Sequence, residues 1–100
     1  MLIDLANAVS RLNAWREEKT SLQVYVSIKG VCADLWGAVQ EVQGTVAEIR
    51  SDSGTLRLEL RGGLFHWQDD PPSPSNFAAS LLVEFRNGDR FLFSALREIR

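Results

Sequence analysis

His66 is the only histidine in the chain, and Asp69 and Asp70 follow it closely. An imidazole beside two carboxylates is a donor set for weak divalent-cation binding, or for a general base with an orienting group. The spacing does not match any metal grammar, in which ligands recur at fixed intervals. A solvated loop with His66 near Phe65 and Trp67 accounts for the same residues without chemistry. Cys32 is the only cysteine. Lys29 is its nearest cation in sequence and nothing else nearby lowers a thiol pKa, so a buried small side chain is expected. With one histidine and one cysteine, most nucleophilic triads cannot be assembled within a single chain. No glycine-rich phosphate loop and no zinc spacing occurs, so no metal or cofactor is expected. A carboxylate-only enzyme would have to draw on Asp34, Glu41, Asp69 and Asp70.

The aromatic residues point to binding rather than catalysis. Phe65 and Trp67 flank His66 in a short segment that ends among prolines, and Trp36 and Phe77 lie outside it. An exposed aromatic beside prolines is a natural anchor for a protein partner. Phe65, His66, Trp67 and Trp36 are therefore the candidate contact residues. The competing reading folds the aromatics back to cover an open barrel end. The run Pro71-Pro72-Ser73-Pro74 fits an extended segment read by another protein, and equally a surface linker.

Two hairpins must position these residues. Leu81, Val83 and Phe85 alternate on one side of Arg86-Asn87-Gly88-Asp89, and Phe91, Phe93 and Ala95 on the other. A two-residue Asn-Gly loop would oppose Phe85 to Arg90 and mix both faces. A three-residue loop, Arg86-Asn87-Gly88 with Gly88 left-handed, opposes Val83 to Phe91 and Leu81 to Phe93. Behind them Glu84 then meets Arg90, Leu82 meets Leu92 and Ser80 meets Ser94. A slip of one residue would move every side chain to the wrong face, so sorting the faces selects the register. In the same way a loop over 51–54 opposes Ile49 to Leu56, Ala47 to Leu58, Thr45 to Leu60 and Glu48 to Arg57. Gly54 supplies the positive φ, and Asp52 is placed to bond the backbone ahead of it.

The remaining segments follow from periodicity. Leu5, Val9, Leu12 and Trp15 recur at helical spacing with Ala8 beside them, which predicts an amphipathic helix over about 4–18 capped by Asp4. Leu2 extends the stripe backwards. Leu22, Val24, Val26 and Ile28 alternate with polar residues in a one-sided strand that ends at Gly30. Residues 31–44 read as a strand with a bulge or bend at Gly44, or as a helix capped by Asp34 with Gly37 inside it. The strand reading is favoured, because glycine in a helix interior costs about 1 kcal/mol relative to alanine. The three prolines and the Gly62-Gly63 pair make 62–76 a long irregular loop, with a short edge strand over Leu64-Phe65-His66-Trp67.

One hundred residues make a single domain spanning 1–100, β-rich over 22–97. Apolar residues are 45% of the chain, enough for a packed core without staples. The net charge of −2 gives no global attraction to nucleic acid or an anionic membrane. Arg57 and Arg90 face Glu48 and Glu84 in the registers above, which offsets charge that phosphate binding would need. A lone cysteine excludes an internal disulfide and fits a reducing, cytoplasmic compartment. No apolar run approaches the roughly 20 residues of a membrane span, and no secretory leader is evident at the N-terminus.

These elements predict an α+β fold: an N-terminal amphipathic helix packed on a strongly bent antiparallel sheet, or small β-barrel, of five to seven strands. The order of a helix and then bent strands resembles, in outline, the Sm-like and SH3-like small barrels. No loop of the Sm type that would seat a base is present, and no functional residue is carried over from the resemblance. The expected function is a non-catalytic protein-binding or self-assembly module acting through open strand edges or the apolar helix face. A small nucleic-acid-binding barrel is the first alternative. A small enzyme or metal protein built on His66 and the neighbouring carboxylates is the second.

Overall fold

Alternation places the buried apolar side chains from Leu22 onward on one face of a sheet, and the N-terminal helix lies against that face. The structure, a computed structural model, describes residues 1–69 and 77–97. Strand β1 (Leu2–Ile3) leads into helix α1 (Leu5–Glu18), which is followed by β2 (Leu22–Ile28) and β3 (Val31–Gln43). Then come β4 (Val46–Ser51), β5 (Gly54–Glu59), β6 (Leu64–Asp69), β7 (Phe77–Glu84) and β8 (Arg90–Leu96). All pairings are antiparallel, in the spatial order β1-β6-β7-β8-β2-β3-β4-β5.

The fold is therefore α+β, with one helix on an eight-strand antiparallel sheet that does not close into a barrel. The expected five to seven strands become eight because β1 and the whole of β6 join the ladder. Chain connectivity still forces strong curvature. Flat, the sheet would hold β5 and β6 six strand steps apart, roughly 29 Å at about 4.8 Å per step. The link over 60–63 reaches at most about 18 Å. The sheet curls until the link fits, and α1 sits within the curl against β3 and β6.

The helix starts as its cap requires: the Asp4 carboxylate accepts a 2.8 Å hydrogen bond from the Asn7 amide. It ends at Lys19, which is left-handed, with Thr20 N donating to the Trp15 carbonyl. Ala8, Leu12 and Trp15 are its buried line, and Leu5 and Val9 pack alongside. They share one core with Leu22, Val24, Ile49, Leu60, Leu81 and Phe93. Burying each such side chain stabilises the fold by about 1.5–3 kcal/mol. Leu2 does not extend the helix stripe. It forms β1, where it pairs with His66, and the Met1 ammonium donates to the Trp67 carbonyl.

Both hairpins take the expected registers. Glu84 pairs with Arg90, Val83 with Phe91 and Leu81 with Phe93 around a left-handed Gly88. Glu48 pairs with Arg57, Ala47 with Leu58 and Ile49 with Leu56. In the second of these turns the backbone bonds are made by Ser51, not Asp52. Its hydroxyl donates to the Gly54 carbonyl and accepts from Ser53 N.

Three expectations are corrected. Residues 31–43 form a strand, but its bulge lies at Gln40, between Val39 and Glu41, while Gly44 is the turn that reverses the chain. In the expected loop over 62–76 the strand expected at 64–67 is present but runs Leu64–Asp69 after a short turn at Gly62-Gly63, and it has neighbours on both sides rather than lying at an edge; the prolines lie outside the described residues. Cys32 is exposed, because it points to the outer face of β3.

Candidate functional site

β3 runs for 13 residues and changes neighbour midway. From Val31 to Gly37 it pairs with β2, and from Gly37 to Gln43 it pairs with β4. Gly37 alone belongs to both ladders. A methyl group there would run into the Arg50 carbonyl oxygen and lie 2.8 Å from the Ser51 Cα, so only glycine lets the two backbones cross. The consequence is a gap. Among the described residues no strand pairs with 31–36 on the side away from β2.

Backbone geometry fixes which groups face that gap. Asp52 N donates to the Trp36 carbonyl, so Trp36 turns its peptide groups away from β2. Those directions alternate along a strand, so Cys32 and Asp34 turn theirs the same way, into solvent. Their side chains share the outer face with Trp36, which is 46% exposed. Val31, 70% exposed, shares the inner face with Ala33 and Leu35, and its cross-strand neighbour Ile28 is exposed beside it. The segment thus combines unpaired peptide groups with uncovered apolar side chains.

Polar contacts here are sparse. Gln23 Nε2 donates to Asp34 Oδ1 at 3.4 Å, and the Cys32 thiol donates to Ser27 Oγ at 3.8 Å. A hydrogen bond with Cys32, then the charge that thiol carries when ionised, pushes the Tyr25 phenol above its ordinary pKa.

The other candidate contact residues separate. Phe65 and Trp67, 3% and 5% exposed, are core residues. The Trp67 ring lies 5.4 Å from that of Trp15, the Arg11 guanidinium sits 4.2 Å over it, and its indole N–H donates to Asp69 at 3.0 Å. Inward folding, one of the two readings of these aromatics, is what their burial supports. His66 is not stacked with them. It points to the outer face in a cross-strand row with Leu2, Leu82, Leu92, Tyr25 and Asp34. Its Nε2 stands 3.1 Å from Glu84, whose other oxygen is 3.3 Å from Arg90.

His66 and Asp69 lie on opposite faces of β6, and Asp70 is outside the described residues, so the expected trio does not converge. Among the described residues no group of three or more His, Cys, Asp or Glu could hold a metal ion. Trp36 is four strands from His66 and forms no common site with it.

Two hollows lie beside His66 and Trp67. An outer groove of about 510 Å³ runs along His66, Gln68, Ser80, Leu82 and Leu92. A hollow of about 800 Å³ lies at the helix C-terminus, between Trp15, Lys19, Trp67, Ala79 and Leu96. Neither gathers reactive groups. No described helix is long and apolar enough to cross a membrane.

The open edge was not anticipated from sequence. Its alternation was visible, but the change of neighbour at Gly37 depends on where β4 ends, and no local pattern encodes that. No protein-family model matches the chain, and no curated protein or solved structure matches it.

Proposed function

We propose that the chain is a non-catalytic self-assembly module, a protein-binding domain that associates by extending its sheet. The observation that carries this reading is the first half of β3: outward peptide groups with no strand partner among the described residues, between Val31 and Trp36, both exposed. An added strand would satisfy those groups and cover those side chains together, which is how sheet-edge recognition gains both affinity and register. Catalysis is disfavoured because His66 is engaged by Glu84 and lies on a different face from Asp69. Nucleic-acid binding is disfavoured because Arg90 is paired with Glu84 on the outer face and the net charge is −2. Light scattering on the purified protein from low to high micromolar concentration tests the reading. A mass rising above the 11.2 kDa monomer is expected. A monomer across the whole range would overturn it.

A further inference from the structure

Of the four asparagines in the chain, Asn87 alone precedes a glycine, in the turn that joins β7 to β8. We infer that Asn87 is a modification site, a point of spontaneous deamidation that the closed hairpin holds in check. The reaction needs water and no catalyst. The Gly88 amide nitrogen gives up its proton and attacks the Asn87 Cγ. The new N–Cγ bond closes a cyclic imide, and the Cγ–Nδ2 bond breaks, with Nδ2 taking up the proton and leaving as ammonia. Water then opens the ring at either carbonyl, which leaves aspartate or isoaspartate at position 87. Glycine admits the attack most readily, because it has no Cβ to crowd the nitrogen. Asn7 and Asn13, in α1, precede alanine, and Asn76 precedes phenylalanine, so there a side chain stands beside the attacking nitrogen.

The folded turn exposes Asn87 to water but restrains both reacting groups. Gly88 donates its N–H to the Phe85 carbonyl at 2.9 Å, so the nitrogen holds the proton it must lose. The Asn87 amide is tied at both ends to Asp89, one residue beyond that nitrogen. Its Oδ1 accepts from Asp89 N at 3.0 Å, and its Nδ2 donates to Asp89 Oδ2 at 3.1 Å. Phe85 N donates to the Asp89 carbonyl at 2.9 Å and closes the turn. Attack waits for these bonds to open, so the rate follows the opened fraction of the hairpin. The product then works against the turn that restrained it. Deamidation replaces the donor to Asp89 with a carboxylate oxygen, while Asp89 Oδ1 is already buried with no partner among the described residues. Like charges come to face each other in the loop. Isoaspartate also lengthens the backbone by one carbon in the loop that sets the register of β7 on β8.

Ageing the full chain at neutral pH and body temperature reads the rate. Intact mass follows the exchange of an amide NH2 for OH, and peptide mapping locates it. One sample is kept native and one is unfolded in urea, with loss of β-sheet circular dichroism marking the unfolded arm. Deamidation is expected first at position 87, and about tenfold or more slower in the native chain, because only opened turns react. A smaller ratio overturns the restraint, and a first deamidation elsewhere, or none at position 87, overturns the site. Asn87→Asp supplies one product directly. It is expected to lower Tm at low salt and to do so less at high salt, which screens the new charge against Asp89. An Asn87→Asp chain that melts with the parent at low salt overturns the coupling between the modification and the turn. The restraint is internal to one chain, so a monomeric protein shows it equally.

Discussion

The first half of β3 and the strand β5 are both sheet edges, yet they are defended differently. β5 ends the sheet along its whole length and carries Thr55, Arg57 and Glu59 on its outer face. Glu59 accepts from the Thr45 hydroxyl at 2.9 Å and is ion-paired with Arg61. Charges on an edge resist the docking of a further strand, because pairing would strip their hydration. β1, at the opposite end of the sheet, is protected by its length of two residues. The β3 segment has neither device. It offers Val31, Cys32, Ala33, Leu35 and Trp36 with a single carboxylate, Asp34. Residues 38–43 of β3 also have a strand on one side only among the described residues, β4, but they carry Gln40, Glu41 and Gln43, exposed; the first half of β3 is the less polar of the two.

Gly37 separates the half of β3 paired with β2 from the half paired with β4, so changing it gives the largest expected effect. In Gly37→Ala the new methyl group meets backbone rather than a movable side chain. The cost is expected at the upper end of the about 1–3 kcal/mol typical of overpacking, with β4 drawn away from β3. For a domain of this size each 1 kcal/mol lowers Tm by about 4–8 °C, so a thermal melt detects it readily. A variant that melts with the parent chain would mean the two backbones do not cross closely at Gly37.

The contrast between edges is sharpened by moving the property from one to the other. Arg57→Val removes the central charge from β5 and the cross-strand partner of Glu48. The cross-strand term makes this worth about 0.2–1 kcal/mol in stability. Its more telling result is new association. Asp34→Pro takes an outward N–H from the first half of β3 and is expected to leave the chain monomeric; adding Arg57→Val is expected to restore concentration-dependent scattering. If the double variant stays monomeric, edge charge is not what keeps β5 free.

Much of the architecture was legible because it rests on alternation and turn chemistry. Gly88 and Gly54 fix registers that only one sorting of faces permits, and Asp4 with Leu12 and Trp15 marks the helix. The site was less legible for physical reasons that can be named. Phe65 and Trp67 are strand residues whose exposure depends on which sheet face the core occupies, and the nearby prolines make their strand read as a short edge piece of a long loop. β1 is too short to carry a period, and only its pairing with His66 and Phe65 defines it. The open edge arises from an absence, the ladder positions that β4 does not fill, and only the pairing of Gly37 with both Leu22 and Ser51 defines it.

The smallest effect concerns acid and the guard on β5. The Arg61 guanidinium beside Glu59, with help from the Thr45 hydroxyl, holds that carboxyl below its ordinary pKa against a smaller opposing cost of burial. A group whose pKa is lower folded than unfolded contributes stability above the unfolded value and loses it as pH falls through the folded one. Acidification through the carboxylate range should therefore weaken the β5 edge slightly while the β3 ladder stays paired. Glu59 is solvent-facing and screened, so the change is expected to be small and to shrink further with added salt. Amide exchange compares the edges in one sample: between neutral and mildly acidic pH, after correction for intrinsic rates, the β4–β5 amides should lose protection relative to those of β2 and β3. Glu59→Gln should remove that difference, since it leaves no carboxylate at position 59 to titrate. A difference of the same size in Glu59→Gln would place its origin in another carboxyl and leave the β5 guard to Arg57 alone.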